Sequence, residues 1–146
     1  MTIITLSVDI AAAPAAVYDY VTRPVRWKEW HPASLGAQEI GDESLVAGRR
    51  FEEDVRSAGF VRHLTWLVEE SRPGERWRAS AYMQDGSTVR LTYDFAGQGA
   101  GTRFTRTLEY VLAPRLLRLA NNLFMWKRVQ AESGVALANL AARFAP

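Results

Sequence analysis

From Pro114 to Phe144 the chain reads as one helix of about 30 residues, which would be about 45 Å long. A rod of that length spans a whole small domain, so the rest of the chain must form a surface long enough to receive it. Proline opens the segment, where its missing N–H and fixed φ suit a first helical turn. Leu116, Leu119, Leu123, Trp126, Gln130, Ser133, Leu137, Leu140 and Phe144 recur at steps of three and four, the spacing of one helical face. That face is apolar at both ends, but Gln130 and Ser133, next to Gly134, make its centre polar and small. Room for a ligand is therefore expected against the centre. A repeat of 3.5 on a 3.6-residue helix drifts by about 20° per heptad, which brings Leu117, Ala120, Phe124, Ala131 and Ala138 to the buried side as well. The helix then presents large residues at its start, small ones in the middle and Leu137, Leu140 and Phe144 at its end.

The receiving surface is a sheet. Ile4, Leu6, Val8 and Ile10 alternate with polar residues, predicting a strand over 2–10 with one buried face. Short helices are expected over Ala15 to Val21 and Val25 to Trp30, ending ahead of Pro24 and Pro32. Further strands are predicted at 35–41, 49–57, 61–70, 76–84, 87–96 and 102–112. Turns fall at Ser71-Arg72-Pro73-Gly74, at Asp85-Gly86, which reads as a two-residue hairpin, and at Gly97 to Gly101. Short connections make the seven strands antiparallel. The fold class is α+β, with residues 1–146 as one domain, a size that buries roughly 68–70% of its unfolded surface without staples.

The absence of cysteine removes disulfides, thiolate catalysis and Cys-ligated zinc, and makes the reducing cytoplasm the expected location. With a formal charge of +2 and arginines scattered among acids, nucleic acid is not an expected partner. The first residues alternate instead of forming a basic end and an apolar run, and no apolar run reaches the roughly 18 residues of a membrane span.

Within the strands, one parity is apolar: Phe51 and Val55; Leu64, Trp66 and Val68; Trp77 and Met83; Val89, Leu91, Tyr93 and Phe95; Phe104, Leu108 and Tyr110. These residues should face the helix. Ala79 and Ala81 share that face and leave volume for the helix or a ligand. Glu53 and Arg106 share it too, in Phe51-Glu53-Val55 and Phe104-Arg106-Leu108. Pointing inward, they would pair across the cavity or hold a polar ligand head, with Arg106 suited to an acidic or carbonyl group and Glu53 to general base work. The alternative is that one or both sit near an open strand end in water. Tyr93 and Tyr110 could orient a ligand oxygen or simply fill the core. His63, Asp9, Asp54 and Asp94 have outward parity, and no role is expected of His63.

The order of elements, with Ala13-Pro14, Val17-Tyr18, Trp27, Trp30-His31-Pro32, Gly48 to Phe51, Glu69 to Trp77, Gly101-Thr102-Arg103 and the C-terminal helix, resembles the START-like, or SRPBCC, superfamily. The match covers essentially the whole chain and is nearest to the polyketide cyclase/dehydrase and lipid-transport branch. The resemblance implies a helix-grip fold, a curved seven-stranded antiparallel sheet around the long helix, with an apolar cavity between them. It also places His31 near one end of that cavity, where it is a third candidate for proton transfer beside Glu53 and Arg106; its alternative role is capping the short helix. No catalytic set, cofactor or metal ligand pair carries over.

The expected ligand-facing residues are Trp30, His31, Glu53, Trp66, Trp77, Ala79, Ala81, Tyr93, Arg106, Tyr110, Leu123, Gln130 and Ser133. Three functions remain: a binder of a hydrophobic or amphipathic lipid, polyketide or quinone-like molecule; a polyketide cyclase, aromatase or dehydratase using the same cavity; and a partner-protein regulator whose cavity is vestigial. A cavity below the few hundred cubic ångströms of typical sites would count against the first two. The apolar start of the helix, where exposed, would be a contact patch for a second subunit or a membrane surface. The resemblance implies instead that Leu116 to Phe124 rim the cavity mouth, which is the expectation, with homodimerisation as the secondary use.

Overall fold

A computed structural model describes all 146 residues. β1 (Thr2–Ile10) leads into α1 (Pro14–Val21) and a 3₁₀ turn (Pro24–Glu29). β2 (Ser34–Gln38), β3 (Arg50–Ser57), β4 (Phe60–Arg72), β5 (Arg76–Tyr82), β6 (Thr88–Gln98) and β7 (Gly101–Val111) follow. The chain closes with a helix of 29 residues in three parts: α2 (Arg115–Ala120), a π-helical segment (Asn121–Met125) and α3 (Trp126–Arg143). The strands form one antiparallel, curled sheet in the order β1-β7-β6-β5-β4-β3-β2, and the long helix lies against it. This is the helix-grip arrangement. No helix is long and apolar enough to cross a membrane.

Strand periodicity translates directly into burial. Phe51, Leu64, Trp66, Val68, Trp77, Leu91, Tyr93 and Phe104 are all buried, as their shared parity requires. On the other face Asp9 pairs with Arg103, Asp94 with Arg76, and His63 Nδ1 hydrogen-bonds Asp54 Oδ1 at 2.7 Å.

Turns fall as expected after Arg72 and around Gly99, where Gly74 and Gly99 take φ of 73° and 61°, but the connection at Asp85-Gly86 differs. Met83 to Ser87 is a five-residue connection rather than a two-residue hairpin, because the Asp85 side chain accepts the Ser87 N–H at 2.8 Å and Met83 bonds back to Ser87 O. The tight hairpin is Ala58-Gly59 between β3 and β4, with φ of 49° and 86°. Both central residues are then left-handed, which matches the twist of the flanking strands. β2 stops at Gln38, short of 41, where Glu39 takes a φ of 66°.

The helix brings the largest correction. Leu116, Leu119 and Leu123 are 82%, 56% and 67% exposed, while Leu117 is partly buried and Asn121 and Met125 are buried. The N-terminal part of the stripe therefore faces solvent. The π segment adds a residue to one turn and so rotates what precedes it by about 100° relative to an unbroken α-helix. Downstream of it, Ser133, Ala136, Leu137 and Leu140 are buried against the sheet, and Gln130, at the edge of that arc, is exposed. Gly134 likewise faces outward with open space around it.

A Cβ at Gly101 would lie 2.6 Å from the Ile10 carbonyl oxygen, a backbone atom held in β1. Gly101→Ala should therefore destabilise the protein by about 1–3 kcal/mol, measured as a lower urea midpoint with an unchanged slope.

Candidate functional site

A cavity of about 150 Å³ lies between the sheet and the π and α3 segments of the helix. Seven of the expected residues line it: His31, Glu53, Trp66, Tyr93, Arg106, Tyr110 and Ser133. Six do not. Leu123 and Gln130 are on the outside of the helix, for the reason given above. Trp30 is buried beside Tyr93, with ring centroids 6.4 Å apart. Trp77 stacks on Tyr93 at 5.4 Å and donates its Nε1–H to Leu45 O at 2.9 Å. Ala79 and Ala81 are buried outside the lining, on the strand that also carries Trp77, against which Trp27 packs. The Trp27 ring makes edge contacts with Phe51, Trp66, Trp77 and Tyr93 at 5.6 to 6.4 Å, and its Nε1–H is fixed by Val21 O at 2.7 Å.

Glu53 and Arg106 both point inward, at 3% and 7% exposure. β3 and β7 put them there by strict alternation with Phe51 and Phe104. They do not form a pair. Glu53 Oε2 accepts from Ser34 Oγ at 2.7 Å and Oε1 accepts from Trp66 Nε1 at 3.0 Å. Arg106 Nη1 donates to Ser133 Oγ at 3.0 Å, and its buried Nε–H has no acceptor. Burial pushes the Glu53 carboxyl from 4.5 up to about 7, against its two hydrogen bonds and the Arg106 charge, which favour the anion.

His31 Nδ1 accepts the Ala33 N–H at 3.1 Å, which leaves the ring proton on Nε2. Burial first, and then the Arg106 charge, hold its pKa well below the usual range, so the ring is neutral. Burial raises the Tyr93 phenol while Arg106 pulls it down. The wall thus offers a permanent cation, a carboxyl that changes charge near neutrality, and neutral donors. No three His, Asp or Glu side chains are grouped to hold a metal ion.

Several lining residues escaped sequence reasoning. Ser34 lies on a short strand without clear alternation. Asn121 and Glu132 did carry a signal: each is a polar residue in an apolar or basic stretch, and each is tied down by hydrogen bonds. Asn121 accepts from Tyr110 and donates to Thr2 Oγ1 at 2.9 Å. Glu132 accepts from Ser57 Oγ at 2.6 Å and from the Ala58 N–H at 3.1 Å, tying the β3–β4 hairpin to the helix.

The raised carboxyl has a consequence for stability. Between 4.5 and about 7 the unfolded chain has released the Glu53 proton and the folded one retains it, so stability falls as pH rises through that window. Glu53→Gln does not titrate. Its stability relative to the natural protein should rise by about 3 kcal/mol from the acid to the alkaline side of the window, read from urea unfolding at each pH; a constant difference would mean that Glu53 titrates normally.

Comparison with known proteins agrees with this architecture. The family described as polyketide cyclase / dehydrase and lipid transport matches residues 1–145. No curated protein matches the sequence. Among solved structures, protein TTHA0849 from Thermus thermophilus superposes with a TM-score of 0.80 at 20% identity, covering 98% of this chain and 97% of that one. The Zhui aromatase/cyclase from Streptomyces sp. R1128 gives 0.78 at 13% identity, with 97% and 92% covered. Protein CV1439 from Chromobacterium violaceum gives 0.69 at 21% identity, with 99% and 97% covered. At such identities these structures share the fold, while the family match extends over nearly every residue: the chain belongs to the polyketide cyclase / dehydrase and lipid transport family, and with it to the START-like superfamily.

Proposed function

We propose that the chain binds a small amphipathic molecule in this cavity, an apolar ring or short chain carrying a carboxylate or an enolised carbonyl. The anionic group sits at Arg106, with Glu53 beside it. The observation that carries this reading is the guanidinium without an anionic partner: a buried cation met only by the neutral hydroxyls of Ser133 and Tyr93, with an orphaned Nε–H, calls for an anion. The rest of the lining is largely apolar, from Leu64, Val89, Leu91, Leu108 and Val129 among others.

The volume narrows the class. About 150 Å³ is below the roughly 300–1,000 Å³ of drug-sized sites and suits an occupant near the size of one benzene ring. It counts against a bulky lipid or a folded poly-β-keto chain lying wholly inside. It suits a single-ring acid, or one end of a longer molecule whose remainder leaves beside Phe60, which both lines the cavity and is 44% exposed. A second reading, a cyclase or dehydratase, is favoured by Glu53 alone, since a carboxyl titrating at about 7 can both give and take a proton at neutral pH.

Calorimetric titration with single-ring aromatic carboxylates tests the proposal. Affinity should fall as pH rises through about 7, because an anion binds best while Glu53 is neutral. Glu53→Gln should remove that pH dependence, and Arg106→Gln should weaken binding by about tenfold or more. An Arg106→Gln protein that binds these acids as tightly as the natural one would sink the reading.

A further inference from the structure

The outward stripe is the most unusual surface of the molecule. Leu116, Leu119, Leu123 and Phe124 are all more than half exposed and lie within about three turns of one helix. Phe60, also exposed, lines the cavity together with Met125 and Val129 and so brings the β3–β4 hairpin to the same side as the helix. The hairpin is held to the same helix by Glu132 and by Arg128, which donates to Ala58 O at 3.4 Å. Scattered exposed leucines need no explanation, but a ridge of them beside a cavity mouth does.

Every charge on the helix between Pro114 and Ala131 is positive. Arg115, Arg118, Lys127 and Arg128 are exposed, and no Asp or Glu occurs between Tyr110 and Ala131. Four cations thus fall in a segment of a chain whose total formal charge is +2. At the same end, Asp85 is already paired with Arg62. A second copy of the chain is a poor occupant, because a two-fold contact would set this basic surface against itself.

We infer that the ridge docks on a membrane surface rich in anionic lipid. Leu116, Leu119, Leu123 and Phe124 enter the headgroup boundary, and the four cations meet lipid phosphates, the division of labour of an interfacial amphipathic helix. The cavity mouth at Phe60 then faces the lipid. This inference does not rest on the identity of the cavity ligand, and its failure leaves the acid-binding reading untouched.

Co-sedimentation of the purified full chain with vesicles tests it. The protein should pellet with mixed phosphatidylcholine–phosphatidylglycerol vesicles and not with phosphatidylcholine alone, and added salt should weaken the binding. The exposed double variants Leu116→Ser/Leu123→Ser and Arg115→Glu/Arg118→Glu should each lower partitioning by about tenfold or more, with unchanged thermal unfolding. Absence of binding to the mixed vesicles by the natural protein overturns the inference, and that arm depends on no variant folding. Equal binding by both double variants also overturns it. So does a stable dimer, or a complex with an acidic protein, that the leucine substitutions dissolve while vesicle binding is absent.

Discussion

Arginine keeps its charge at every pH a folded protein meets, so the burial of Arg106 constrains everything around it. It sits mid-strand, opposite Tyr93 on β6 and Leu6 on β1, with no strand end within reach of its guanidinium. The charge must be met inside the fold. The helix meets part of it with Ser133, a residue small enough to let the guanidinium in and polar enough to accept from it. Glu53 does not complete the neutralisation, because its own burial holds its pKa near 7 and its oxygens are engaged by Ser34 and Trp66. The result is a cation short of acceptors beside a carboxyl that is half-ionised at neutral pH, the condition from which both the acid-binding proposal and its pH dependence arise.

The cavity lies where it does because aromatic mass is distributed unevenly over the concave face. Trp27, carried in by the 3₁₀ turn after Pro24, wedges among Phe51, Trp66, Trp77 and Tyr93. Trp77 and Trp27 both have their indole N–H groups satisfied by backbone carbonyls. Phe51 and Trp77 lie in the closed part of this cluster, while Trp27, Trp66 and Tyr93 form one wall of the cavity. The part of the sheet under Asn121, Met125, Val129 and Ser133 faces only the helix, whose buried side chains there are short or slender, and the space between them remains.

Much of this was legible in the sequence, for a physical reason. A strand has a period of two, and one correct residue on a face places all the others, so the inward parity of Glu53 and Arg106 follows from the apolar residues that flank them. What period alone left open was whether those charges sat at a strand end or in the interior, since that depends on which strands lie alongside. Ser34 was illegible because its importance lies in a cross-strand neighbour. Trp77, Ala79 and Ala81 lie on the expected face but outside the cavity lining, and Trp30, at the end of the 3₁₀ turn, packs beside Tyr93. A strand pattern shows small residues on a face but not which distant aromatic rings close over that part of the sheet.

The helix was misread for a different reason, and that reason links the cavity to the surface. Periodicity reports that residues share a face, but it does not say which way the face points, and it assumes a constant pitch. The π segment breaks that assumption between Asn121 and Met125. Its register shift brings Asn121 inward, where it holds Tyr110 and Thr2, and brings Met125 into the cavity wall. By the same rotation Leu116, Leu119 and Leu123 leave the sheet. An unbroken α-helix in phase with Ser133 and Leu137 would instead turn Leu119 toward the sheet and Asn121 away, removing both the polar anchor and much of the exposed ridge. One extra residue in one turn therefore shapes the inner wall and the outer surface together, so a ridge of leucines in water is the counterpart of a cavity lined by Asn121 and Met125.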